Sequence, residues 1–170
     1  MFEQYTTLGF NYRLTDVQAA IGRAQLNSLA VRLEHRRTQA ARYGELLADI
    51  PGMELPASPV HARTNWQSYC VQLPPDIDQR DVMQALLDDG IATRRGVMCA
   101  HLEAAYPRDT WSCGADPDCD RSGRPCPHLV NSETVQNRGV VLPMFDDLSA
   151  ADQVRVADTL KRVCRRMARA

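Results

Sequence analysis

Residues 66–95 read WQSYCVQLPPDIDQRDVMQALLDDGIATRR, and the fold turns on how this stretch is parsed. Trp66 to Leu73 is rich in aromatic and strand-forming residues with rough alternation, which predicts a strand. Asp78 stands where a helix N-cap belongs, with Asp81 at the third position of the first turn. Val82, Leu86 and Leu87 supply the expected buried face, and Gly90 suits the left-handed residue that closes such a helix. Ile91 to Arg95 then reads as a second strand. A strand, helix, strand succession favours an α+β or α/β layer over an all-helical fold.

Working outward, the amino-terminal side opens a helix at Thr15-Asp16-Val17-Gln18. Thr15 can cap the Gln18 amide, Gln18 can reach back, and Asp16 suits the positive end of the helix dipole. Leu14, Val17, Ile21, Ala24, Leu29, Leu33, Ala40, Tyr43, Leu47 and Ile50 recur at helical steps until Pro51-Gly52 stops them. The pattern predicts one long helix, or two with a bend. A continuous helix of that length spans about 50 Å, more than a compact domain of this size can cover, so part of it is expected to pack on something else. Ala19, Ala20, Gly22 and Ala24 thin its first turns, which suits close approach of another backbone and equally suits plain helix propensity.

On the carboxyl-terminal side, Ser132 to Asn137 is a short helix candidate and Val140-Val141-Leu142 a third strand. Ser149 with Asp152 starts a last helix carrying Val154, Ala157, Leu160, Cys164 and Met167. Residues 107–130 fit none of this, holding four Pro, two Gly and three Cys without periodicity. A loop of that length inside a compact domain is usually functional or disordered. The expected organisation is an interface segment with a connecting helix over 1–52 and a small domain over 53–170, its sheet covered by helices.

The chain has 170 residues, 44% hydrophobic and 24% charged, with a formal net charge of -1. That balance suits a globular domain and supplies no global field to draw nucleic acid or an anionic membrane. No run approaches the ~18 apolar residues of a membrane span, and the first residues lack the form of a signal peptide. A cytoplasmic setting is expected, with six reduced cysteines. The basic residues are 19 Arg and a single lysine, Lys161, flanked by Arg162, Arg165 and Arg166. Lysine chemistry therefore has one candidate, and its place in the last helix predicts a solvated basic face.

Three segments, taken together, resemble the DegT/DnrJ/StrS-type sugar aminotransferases. The first runs from Gly9-Phe10-Asn11-Tyr12-Arg13-Leu14-Thr15-Asp16-Val17-Gln18-Ala19-Ala20 to Gly22, and resembles that family's GxNxRxxxxQAAxG segment. The second is Gly90-Ile91-Ala92-Thr93-Arg94 followed by His101-Leu102-Glu103 and Tyr106. The third is Leu142-Pro143-Met144. The resemblance implies a pyridoxal-phosphate enzyme of the type I aminotransferase fold, moving an amino group, usually from glutamate, to a keto group of a nucleotide-linked sugar. It also implies a homodimer, and that the large domain bearing the Schiff-base lysine precedes the first segment. The chain would then be the small-domain portion, inactive alone. Residue by residue, the resemblance implies that Asn11, with Gly9 beside it, contacts the cofactor phosphate across the dimer, and that Arg13, Arg94 and His101 lie on the substrate side.

Cys113, Cys119, Cys126 and His128 are four soft ligands that a zinc ion accepts, but zinc sites usually pair ligands two to four residues apart. Here five and six residues separate the cysteines. No metal is therefore expected, and reduced thiols in a loop are the simpler reading. Two rivals stand beside the aminotransferase: a free-standing dimerisation or binding module without cofactor, and a zinc-binding adaptor. The apolar face from Val17 to Leu33 favours a missing large domain over the free-standing module, and a metal assay decides the zinc adaptor.

Overall fold

The structure, a computed structural model, describes residues 6–9, 13–107, 110–111 and 128–168. Helix α1 (Asp16–Leu26) starts as its sequence dictates. Thr15 Oγ1 accepts from the Gln18 N–H at 3.3 Å and the Thr15 N–H donates to Gln18 Oε1 at 2.9 Å, a complete capping box. Helix α2 (Leu29–Leu47) follows after two residues. The break falls at Ser28, whose hydroxyl donates to the Gln25 carbonyl at 3.0 Å and accepts from Arg32 Nε at 2.9 Å. Hydroxyl back-bonding of this kind bends helices. The connecting helix of the sequence reading is thus two helices, and Gly52, at φ +74, ends the second run.

Three short strands follow: β1 (Tyr69–Gln72), β2 (Arg94–Arg95) and β3 (Gly139–Leu142). Their order is β1-β3-β2, with β3 antiparallel to both neighbours; Tyr69 lies opposite Leu142, Gln72 opposite Gly139, and Arg94 opposite Val141. β1 and β2 therefore run parallel, joined by helix α3 (Gln79–Asp88), with β3 inserted between them. Both outer strands are shorter than expected for identifiable reasons. Trp66 takes φ +51, a left-handed backbone, and Arg36 Nη1 donates to its carbonyl at 3.2 Å and to that of Gln67 at 3.0 Å. Only from Tyr69 onward is the chain extended. Beyond Gly90 (φ +74), the Ile91 N–H donates back to the Leu86 carbonyl at 2.9 Å, closing α3 rather than joining the sheet.

Helices α4 (Val130–Arg138) and α5 (Ala150–Met167) complete the chain. The core gathers one sheet face, with Tyr69, Val71, Val140 and Leu142, against Tyr43 and Leu47 of α2, Val82, Met83 and Leu86 of α3, and Val156, Leu160 and Val163 of α5. Each fully buried Val or Leu contributes about 1.5–3 kcal/mol. Tyr43 lies inside this core and its hydroxyl donates to the Pro143 carbonyl at 2.8 Å. The other sheet face, with Cys70, Gln72 and Val141, is half-buried.

Two expected core residues are not in it. Leu87 is 51% exposed and Val154 39%, each one position off its helix's buried stripe; Met83 and Val156 take their places. Helix α1 buries nothing at all. Leu14, Val17 and Ile21 are 75%, 70% and 57% exposed, and burial in α2 begins only at Gln39. Among the described residues, no helix is long and apolar enough to cross a membrane.

Candidate substrate-side site

The segment after β2 is held in place from α4. The Cys99 N–H donates to the side-chain carbonyl of Gln136, and Gln136 is fixed in turn by α3. Gln79 Nε2 donates to the Gln136 backbone carbonyl at 2.9 Å and to that of Gly139 at 2.6 Å. Gly139 tolerates no side chain at this junction, because a Cβ would stand 2.5 Å from the Val135 carbonyl oxygen. One helical turn toward the start of α4, Glu133 Oε1 meets His101 Nε2 at 2.9 Å, with both side chains nearly buried. Trp111 meets the same imidazole in a T-shaped contact, ring centroids 5.3 Å apart. Arg95 reaches Glu103 at 3.3 Å beside them.

Around this frame lie two cavities. The first, about 450 Å³, is lined by Cys99 and His101 from the post-β2 segment and by Asn131, Ser132 and Val135 from α4. The second, about 290 Å³, lies between Thr7, Leu8 and Gly9 on one side and Met98, Ala100 and Tyr106 on the other. Met98 and Ala100 form walls of both. Two segments singled out separately in the sequence, Gly9 and the His101 region, therefore meet at one place. Burial pushes the pKa of the Cys99 thiol up, the carboxylates of Glu133 and Glu103 add to that, and Arg95 opposes them.

The remaining predicted residues are spread more widely. Arg94 is exposed on β2 and lines neither cavity; with Val141 opposite, it stands on the half-buried sheet face. Arg13 is exposed just ahead of the Thr15 cap. Asn11 lies outside the described residues, as do Cys113, Cys119 and Cys126, while His128 is exposed two residues before α4. Among the described residues, no cluster of His, Cys, Asp and Glu suits a metal ion. Sequence reasoning missed Gln79, Trp111, Glu133 and Gln136. Glu133 and Gln136 were legible as one face of a helix, three residues apart, but nothing in the string says that this face carries His101.

Lys161 corrects an expectation. Its side chain is only 19% exposed and its ammonium is held by Asp49 at 2.8 Å, although Asp49 and the neighbouring Arg165 are themselves exposed. The hydrogen bond from Lys161 lowers the Asp49 pKa, with the charges of Lys161 and Arg165 helping. The lysine lines a third cavity, about 460 Å³, with Pro51, Pro74 and Cys164, and shares no lining residue with the two described above.

Comparison with known proteins agrees with this architecture. The family model described as the DegT/DnrJ/EryC1/StrS aminotransferase family matches residues 1–161. A DegT DnrJ EryC1 StrS aminotransferase from Brucella abortus is 28% identical with a TM-score of 0.68, covering 91% of this chain and 37% of its own. DesI, solved in the presence of its TDP-sugar product, is 27% identical with a TM-score of 0.68, covering 88% of this chain and 35% of its own. DesV of S. venezuelae, in complex with a ketimine intermediate, is 26% identical with a TM-score of 0.70, covering 93% and 38%. The chain thus spans little more than a third of the length of these solved relatives. Its match over residues 1–161, from ahead of the Gly9 segment into α5, on an α+β fold shared with type I aminotransferases, shows that the chain belongs to the DegT/DnrJ/EryC1/StrS aminotransferase family.

Proposed function

We propose that this chain supplies the small-domain, substrate-facing part of a pyridoxal-phosphate-dependent transaminase acting on a keto group of a nucleotide-linked sugar, with glutamate as the usual amino donor. The observation that carries the proposal is the meeting of Gly9 with the Met98–His101 segment around adjoining cavities, in a chain whose family match runs from residue 1 to 161. DesI, solved in the presence of its TDP-sugar product, supports a nucleotide-linked sugar as the substrate class. In this proposal His101 and Arg94 contact the sugar nucleotide, Arg13 grips a phosphate or carboxylate, and Asn11 with Gly9 reaches the cofactor phosphate of a second copy in a homodimer. Arginine suits an anionic ligand because its planar fork matches a phosphate or carboxylate.

The residues present do not fit the cofactor's covalent partner. A Schiff-base lysine must face the cofactor aldehyde and give up its proton. Lys161 is instead tied to Asp49 and faces a different cavity from Gly9 and His101. The covalent lysine is therefore proposed to come from protein outside these 170 residues, in keeping with the share of the relatives that the chain spans.

Two measurements test this. Incubating the chain with pyridoxal phosphate, reducing with borohydride and mapping the peptides should give no stoichiometric label at Lys161. In the protein that carries these residues, glutamate-dependent amination of a TDP-linked keto-hexose should be measurable. There His101→Ala or Arg94→Ala should raise the KM for the sugar about tenfold, the loss of one hydrogen bond to a charged or buried group. No amination, or an unchanged KM in both variants, would overturn the assignment.

A further inference from the structure

We propose that Glu133 is a positioning residue for His101: its carboxylate accepts a hydrogen bond from the imidazole Nε2–H, which keeps the proton on Nε2 and leaves Nδ1 as a hydrogen-bond acceptor for a hydroxyl group of the ligand in the 450 Å³ cavity. The substrate-side role of His101 rests on the function proposed above; the pairing rests on geometry alone. His101 Nε2 and Glu133 Oε1 are 2.9 Å apart, and the two side chains are 13% and 11% exposed. An ionised carboxylate only accepts, so the nitrogen facing it must carry a hydrogen. In the neutral ring the other nitrogen then holds a lone pair, and an acceptor selects a donor. Of the groups on a nucleotide-linked sugar, the hydroxyls donate, whereas the phosphates only accept.

The surroundings favour a fixed ring. Trp111 packs against the imidazole in a T-shaped contact, limiting rotation, and Gln136 holds the Cys99 N–H two residues before His101. Glu133 and Gln136 stand three residues apart on α4 and so grip the same segment from one helix face. His101 lines the cavity and Glu133 does not, so the carboxylate acts on the ligand through the imidazole. Its role is comparable to the outer partners that set the tautomer of a ligating histidine.

The test begins with the chain itself, above the titration range of free imidazole. The His101 Nε2 proton should give a downfield, solvent-protected resonance in nitrogen-edited spectra, with no protected proton on Nδ1. Glu133→Leu should abolish that protection, while Glu133→Gln, whose side-chain oxygen still accepts, should keep it at a less extreme shift. A protected proton on Nδ1, or an Nε2 signal indifferent to Glu133→Leu, would overturn the proposal. Should the leucine variant fail to fold, the wild-type and glutamine spectra still decide it. Kinetics of the sugar aminotransferase carrying these residues separates the two levels. Glu133→Leu is expected to raise the sugar KM about tenfold with kcat changed less than about twofold, and Glu133→Gln to restore most of it, the scale of one lost hydrogen bond. An altered resonance with an unaltered KM would leave the pairing standing and remove His101 from the substrate site.

Discussion

Replacing Gln79 by leucine tests the amide relay on which the candidate site stands. Gln79 is buried at the start of α3 and its Nε2 donates to two backbone carbonyls, those of Gln136 at 2.9 Å and Gly139 at 2.6 Å. The two losses are unequal. The Gly139 carbonyl also accepts from the Gly96 N–H at 2.8 Å, so it keeps a partner and loses only the net worth of one hydrogen bond, about 0.5–1.5 kcal/mol. The Gln136 carbonyl sits in the last turn of α4, where no intrahelical donor follows, so it is left buried and unmet at about 1–3 kcal/mol. Together these give about 2–4 kcal/mol, a large fraction of the ~5–15 kcal/mol that holds a domain folded. Leucine fills nearly the same volume, so no cavity term is added. Urea unfolding followed by far-ultraviolet circular dichroism is the assay. With a slope of about 2 kcal/mol per molar urea, the midpoint should fall by roughly 1–2 M. Gln79→Glu should cost at least as much at neutral pH, because a carboxylate that only accepts would face two carbonyl oxygens. An unchanged midpoint and slope in both variants would refute the relay and leave α4 positioned by packing alone.

Asp78→Ala should lower stability by about 1 kcal/mol, since Asp78 Oδ1 accepts from the Arg80 and Asp81 N–H groups at the start of α3; the same urea titration reads it. Burial lifts the Cys164 thiol from 9.0 to about 11. The folded state thus keeps a proton that the unfolded chain gives up, and stability present below pH 9 fades as the pH climbs toward 11. Urea midpoints measured across that window should fall less steeply in Cys164→Ala than in the wild type, and parallel slopes would count against it. Val17→Glu with Ile21→Glu should reduce concentration-dependent association in sedimentation without loss of helix, because both side chains are exposed on α1. A wild-type chain that is already monomeric at all concentrations would sink that expectation.

The start and stop signals were legible because they are local. Thr15, Asp78 and Ser149 each meet a backbone N–H within three residues, Gly90 takes the left-handed backbone that its position called for, and Gly52, read as a stop, takes it too. Strand lengths were not legible, because they depend on distant partners. Nothing near Trp66 announces that Arg36, thirty residues earlier, holds its carbonyl and turns the chain out of the sheet. Phase errors of one residue put Leu87 and Val154 on the wrong side, since a helix stripe read from apolar spacing alone does not distinguish the core flank from its edge. In the site, His101 was visible as a residue type. Its partner Glu133 lies 32 positions away, and between them the string offers no periodicity to connect the two.

Helices α1 and α2 show where sequence periodicity stops being informative about packing. The apolar series from Leu14 through Leu47 keeps one rhythm, yet Ala40, Tyr43 and Leu47 are buried while Val17 and Ile21 are exposed. The difference is not in the residues. α2 meets α5 over its second half, where Gln39 Nε2 donates to the Phe145 carbonyl at 2.8 Å and Gln153 Nε2 to the Gln39 carbonyl at 3.0 Å. Ahead of that point, the described residues supply no layer for the apolar stripe to lie against. A helix bearing an apolar stripe is stabilised chiefly by what the stripe packs on, and α1 has only its capping box and its propensity. Its helical state should therefore be the first to fray on heating and the most responsive to any surface that covers Val17 and Ile21. That makes α1, rather than the core, the element whose helicity reports whether Val17 and Ile21 are covered.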